Sequence, residues 1–167
     1  AAEITGSKAV GGILGTEPSV ENCFDKDDSR GTISNNVFYG SLNVSDESAN
    51  VGAIVGYMHS INKNQEFDNN YWLESCGAES GIGKINHIIY TDDPLYPKYG
   101  MEPGSFKEDE VCAKVTAAQL KDGTITEKLN AGKHSLKNWK QGENGPVFSD
   151  EDFIIALTVS GYKDVYY

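Results

Sequence analysis

The sequence predicts a mainly β protein: a short, irregular solenoid of stacked strand-and-turn coils with a small α-helical C-terminal cap. Three observations predict it. Val10-Gly11-Gly12-Ile13-Leu14-Gly15 returns forty-one residues later as Val51-Gly52-Ala53-Ile54-Val55-Gly56. Asn followed by an apolar residue and a large aromatic one occurs three times, as Asn22-Cys23-Phe24, Asn36-Val37-Phe38 and Asn70-Tyr71-Trp72. Eighteen glycines and nine tyrosines in 167 residues favour turns and strands over long helices.

Each hexamer sets aliphatic residues between glycines, the composition of a short buried strand bounded by tight turns. Gly11, Gly12, Gly15, Gly52 and Gly56 are therefore structural candidates. So short a strand cannot bury its apolar face alone, so successive units are expected to stack. In register, Asn22, Asn36 and Asn70 would lie over one another at a bend and hydrogen-bond neighbouring backbone. Their spacings of fourteen and thirty-four residues imply unequal coils.

In chain order, residues 1–115 read as coils carrying a long loop insertion at about 77–111. Pro18 turns the chain into Val20 to Phe24, and Asp25-Lys26-Asp27-Asp28 reads as a solvated turn, lacking the closing bidentate Glu of a calcium loop. Thr32 to Val44 alternates as one long strand, covered on both faces or bent at Gly40. Tyr57 to Glu66 reads as a loop holding His59, and Phe67 to Leu73 as strand. Gly77 to Gly83 lacks the Gly-Lys-Ser/Thr ending of a phosphate cradle. Ile88-Ile89-Tyr90 is a strand before an exposed, proline- and tyrosine-rich excursion.

Tyr90, Tyr96 and Tyr99 in that excursion are the ligand-binding candidates, since Tyr offers flat apolar area and a hydroxyl at small entropic cost. The alternative is that they pin the loop to the coils. Residues 116–150 form the cap and closing strand: Thr116 to Gly123 and Thr124 to Gly132 each read as Thr at the N-cap, Gln or Glu three later and Gly at the stop. Leu120, Ile125, Leu129 and Trp139 are the expected plug over the last coil's apolar end. Phe153 to Val159, in 151–167, is a last strand or the start of a following module.

The odd count of three cysteines excludes a complete disulfide framework. Cys23 reads as a small buried residue, while Cys76 and Cys112 flank the insertion and form a possible disulfide closing 36 residues. No cysteine or histidine spacing suits a metal, and no cofactor is implied.

The hexamers and the Asn-led segments resemble the GLUG-motif repeats of bacterial cell-surface proteins, over about residues 4 to 75. Trp139 to Phe148 is similar to the segment that closes such repeats, whereas the insertion departs from the pattern. The resemblance implies that the solenoid is a short, irregular parallel β-helix, right-handed, in a large exported, adhesin-like protein, placed at the cell surface or secreted.

The formal charge of −11 argues against nucleic acid and anionic membrane surfaces, and no run of eighteen apolar residues would insert in a bilayer. With no initiator Met and an opening that reads as the tail of a coil, the chain reads as a piece of a longer one. Nucleophile-elbow and His-Glu-x-x-His patterns are absent, and Arg30 is the sole arginine, which supplies anionic-sugar cleavage poorly. The expectation is a non-catalytic structural or adhesive segment, partnered by other domains of its own chain. The alternatives are a module binding a host glycan or surface protein through the tyrosine loop, and a β-helical polysaccharide-degrading enzyme.

Overall fold

The computed structural model describes residues 2–16, 32–47, 49–133 and 135–149. Asn22, the Asp25–Asp28 run and Phe153 to Val159 lie outside them. The described chain is mainly β, in six small sheets, none closed on itself. Five are wholly parallel, and the parallel strands fall into three tiers.

The first tier holds β1 (Glu3–Gly6), β2 (Ala9–Gly11), β3 (Leu14–Thr16), β4 (Ile33–Ser34) and β5 (Val37–Phe38). The second repeats the order as β6 (Ser41–Val44), β7 (Asn50–Gly52), β8 (Val55–Ile61), β9 (Phe67–Asp68) and β10 (Asn70–Leu73). Each first-tier strand pairs with its second-tier counterpart. Val10 sits opposite Val51 and Leu14 opposite Val55, and Ile13 N donates to Ile54 O at 3.1 Å. The two hexamers thus lie one on the other, residue for residue.

Glycine is required where tiers cross closest. A Cβ on Gly52 would stand 2.0 Å from Val55 O and 2.3 Å from Gly83 N. Both are backbone atoms, which have nowhere to move. Between the tiers run the side chains of the main core, with Ile54, Val55 and Met58 wholly buried beside Trp72 and Phe38.

A third tier corrects the expected insertion. β11 (Ile82–Ile88) pairs parallel with β8 over its whole length, Ile82 opposite Val55 and Ile88 opposite Ile61. Ala53 N and Ile54 N donate to Ser80 O and Gly81 O, repeating the bonds that Gly12 N and Ile13 N make to Ala53 O and Ile54 O. The segment Gly77 to Gly83 is therefore largely the lead-in to a rung. The tier continues through α1 (Glu108–Val111) to β12 (Cys112–Val115), which pairs with β10.

Two strand readings also change. The expected strand from Thr32 to Val44 is three short ones, interrupted at Asn35, whose φ of +57° Asn tolerates better than most residues, and again at Tyr39 and Gly40, where the expected bend falls. His59 stands inside β8, because Met58 and Ile61 are buried and extend that strand past Tyr57.

α2 (Ala117–Lys121), α3 (Thr124–Ala131) and an antiparallel hairpin of β13 (Trp139–Gln141) and β14 (Pro146–Phe148) complete the described chain. Thr116 forms the expected capping box with Gln119. Thr124 does not repeat it: the N-cap of α3 is Gly123, at φ +89°, and Asp122 Oδ1 accepts from Thr124 N at 2.8 Å. No described helix is long and apolar enough to cross a membrane.

The helices do not plug the end of the stack. Leu120, Ile125 and Leu129 are buried with Tyr71 and Val115, against Val37, Ala113 and Trp139. Alternation in β10 sends Trp72 inward and Tyr71 outward. Val37, Tyr71 and Ala113 therefore form the outer face of one sheet across all three tiers, and the helical pair buttresses that flank.

Candidate functional site

The side chains most specifically placed are asparagines at one bend of the tiers. Asn70, 1 % exposed, accepts at Oδ1 from Asn36 Nδ2 (2.9 Å) and Asn36 N (3.3 Å). Its Nδ2 donates to Ile33 O (2.8 Å) below and Val111 O (3.3 Å) above. One amide thus ties three tiers. Their neighbours form a second, outward ladder that the sequence reading missed. Asn69 Nδ2 donates to Asn35 Oδ1 at 2.6 Å and to Lys128 O at 3.0 Å, and Asn35 Nδ2 donates to Lys133 O at 2.7 Å. Asn69 shares the left-handed backbone of Asn35, at φ +51°. The doubled Asn-Asn in both copies was the available signal: one amide faces the core and the other holds α3 to the flank.

Tyr90, Tyr96 and Tyr99 all lie on the excursion between β11 and α1, each half-buried. Backbone bonds fold it back on itself and onto the second tier: Tyr96 N to Asp93 O, Tyr99 N to Tyr96 O, and Lys63 N to Tyr99 O. His87 Nε2 lies 3.0 Å from Asp93 Oδ2. The Leu95 N–H, and then the imidazole, hold the Asp93 carboxyl below the usual carboxylate range.

Cys76 and Cys112, the candidate disulfide, are free thiols in the structure, each filling its own place in the core. Cys112 lies level with Asn70 on β12, and Trp72 Nε1 donates to its carbonyl at 3.2 Å. Cys76 follows β10, where its carbonyl accepts from Leu42 N at 2.7 Å. Burial pushes both thiols up, away from the thiolate form. Among the described residues, no group of three or more His, Cys, Asp or Glu is placed to hold a metal ion.

Two clefts remain. One of about 690 Å³, bordered by Gly77 and Gly83, also presents Asp46, Glu47 and Glu79, a lining that repels phosphate. The other, of about 510 Å³, lies between the first tier and the hairpin. Ile13, Leu136 and Phe148 line it at 46, 73 and 59 % exposure, three of the four exposed large hydrophobics among the described residues. Trp139, the predicted plug residue, stacks on Phe148 there at 4.2 Å between ring centroids. The rim is hydrogen-bonding and uncharged, Ser34 and Asn138 included. Sequence reasoning missed this groove because its residues come from three distant stretches.

Comparison with protein-family models, with curated proteins and with solved structures gave no match.

Proposed function

We propose that the chain is a non-catalytic structural or adhesive segment of an exported bacterial surface protein, built as short coils of a parallel β-helix with a helical buttress. The observation that carries this reading is the in-register stacking of the glycine-bracketed aliphatic pairs, Val10 on Val51 and Leu14 on Val55. Stacking of this kind makes a rigid rod that grows by repetition, the property a projecting surface protein needs. The buried amides of the bend support it too, since Asn70 spends both its polar atoms on neighbouring tiers. Other domains of the same chain are its expected partners, and the outside of the cell its place.

A second reading, binding of a host glycan or surface protein, draws support from the neutral groove. A stacked aromatic pair beside uncharged hydrogen-bonding groups suits a sugar face, and exposed apolar patches with polar rims mark contact surfaces. Glycan arrays and surface-protein pull-downs test the two together. The scaffold reading expects silence in both and antibody staining of intact cells. Binding that Phe148→Ala abolishes would replace it with a groove-centred module; binding lost only in a Tyr96→Ala, Tyr99→Ala double variant would return the site to the tyrosine loop. Polysaccharide cleavage abolished by a single carboxylate substitution would establish the enzyme alternative.

A further inference from the structure

The three tiers are joined at the hexamer by one repeated set of bonds. Gly12, Ile13 and Leu14 donate their amides to Ala53 O and Ile54 O, and Ala53, Ile54 and Val55 donate theirs to Ser80 O and Gly81 O. In this register Ile13, Ile54 and Gly81 are equivalent, as are Leu14, Val55 and Ile82. The amides of Gly81 and Ile82 therefore point where a fourth tier would place its carbonyls.

Both amides are taken by one side chain. Glu108 Oε1 accepts from Gly81 N at 2.8 Å and from Ile82 N at 3.1 Å. A carboxylate oxygen stands in for the missing carbonyl, in bonds stronger than a neutral acceptor makes. At the opposite end, the positions whose carbonyls accept in the other tiers are Gly12 and Ile13, and Ile13 is 46 % exposed where its equivalent Ile54 is wholly buried. One end carries the equivalent acceptor positions beside an exposed aliphatic side chain, and the other carries two buried donors held by Glu108.

We propose that Glu108 is a stop residue, which keeps the third-tier edge from pairing with the first-tier edge of a second copy of this chain. Such pairing joins two different surfaces and does not close, so its product is an open filament, the hazard of any unprotected sheet edge. The inference rests on the coil register of the proposed fold, and not on an adhesive role or a surface location.

The test uses the full chain and three variants, with a fourth in reserve. In Glu108→Ala the amides of Gly81 and Ile82 exchange with solvent roughly ten- to hundredfold faster, as loss of a charge-assisted bond dictates. The variant also forms concentration-dependent oligomers in sedimentation velocity. Glu108→Gln keeps an acceptor oxygen and sediments like the parent. Adding Ile13→Asp to Glu108→Ala restores the parent's sedimentation. Should Glu108→Ala fail to fold, Glu108→Asn withdraws the acceptor by one methylene and serves in its place. A folded alanine or asparagine variant with unchanged exchange and unchanged sedimentation overturns the proposal, as does a parent already associated through these ends. Fast exchange of the two amides in the parent would instead count against the tier register itself.

Discussion

Replacing Ile54 by Ala lowers the free energy of unfolding by about 3 to 5 kcal/mol, whereas Ile13→Ala costs less than about 1 kcal/mol. The two residues hold the same place in the repeat, one tier apart, so propensity and neighbouring glycines cannot distinguish them. Burial does. Ile54 is wholly buried between first and third tiers, and its loss leaves a cavity that two backbone-tight rungs cannot collapse. Ile13 is 46 % exposed at the outer tier, where water fills what truncation removes. Urea unfolding of both variants, followed by circular dichroism, measures the contrast. Equal costs would mean that the second hexamer is not enclosed.

Asn70→Ala is expected to cost about 2 to 4 kcal/mol, large for a change that removes so little apolar volume. The cost arises from what is left behind. Asn36 N loses its acceptor, Asn36 Nδ2 keeps only Ser34 O, and Ile33 O and Val111 O each lose a donor, all near a residue only 1 % exposed. Asn70→Leu removes the same bonds while filling space, and destabilises comparably. Urea titration again reads the loss; a cost below about 1 kcal/mol would show that the amide holds no tiers together.

How much of this was legible in the sequence depended on whether the signal was local. The hexamers announced their own stacking because glycine and aliphatic residues recur in the same order, and the register Val10 to Val51 follows that order. The third tier was hidden by a substitution at its key position. A Cβ on Gly81 would lie 2.2 Å from Cys112 Sγ, so the rung must carry glycine where its counterparts carry isoleucine. What survives is Gly83, Ile85 and Ile88, level with Gly56, Met58 and Ile61.

The helical pair was legible as helices and not as a position. Thr116, Gln119 and Gly123 are local signals, and they mark α2 correctly. Which surface the pair covers depends on Tyr71 facing outward while Trp72 faces in, and two adjacent aromatics do not declare their sides. Thr124 was misread for a related reason. A preceding Gly123 in the left-handed region already occupies the N-cap, so the threonine falls one place inside the helix. Glu108 stood in an acidic run with nothing local to mark it, since its partners Gly81 and Ile82 lie 27 and 26 residues away.

The most direct test of the stacked tiers is nuclear Overhauser contact between backbone protons of Leu14, Val55 and Ile82 in isotopically labelled protein. Parallel rungs about 4.8 Å apart place Val55 between the other two, with contacts to each and none directly from Leu14 to Ile82. An antiparallel contact pattern, or Val55 lacking either neighbour, would contradict the account.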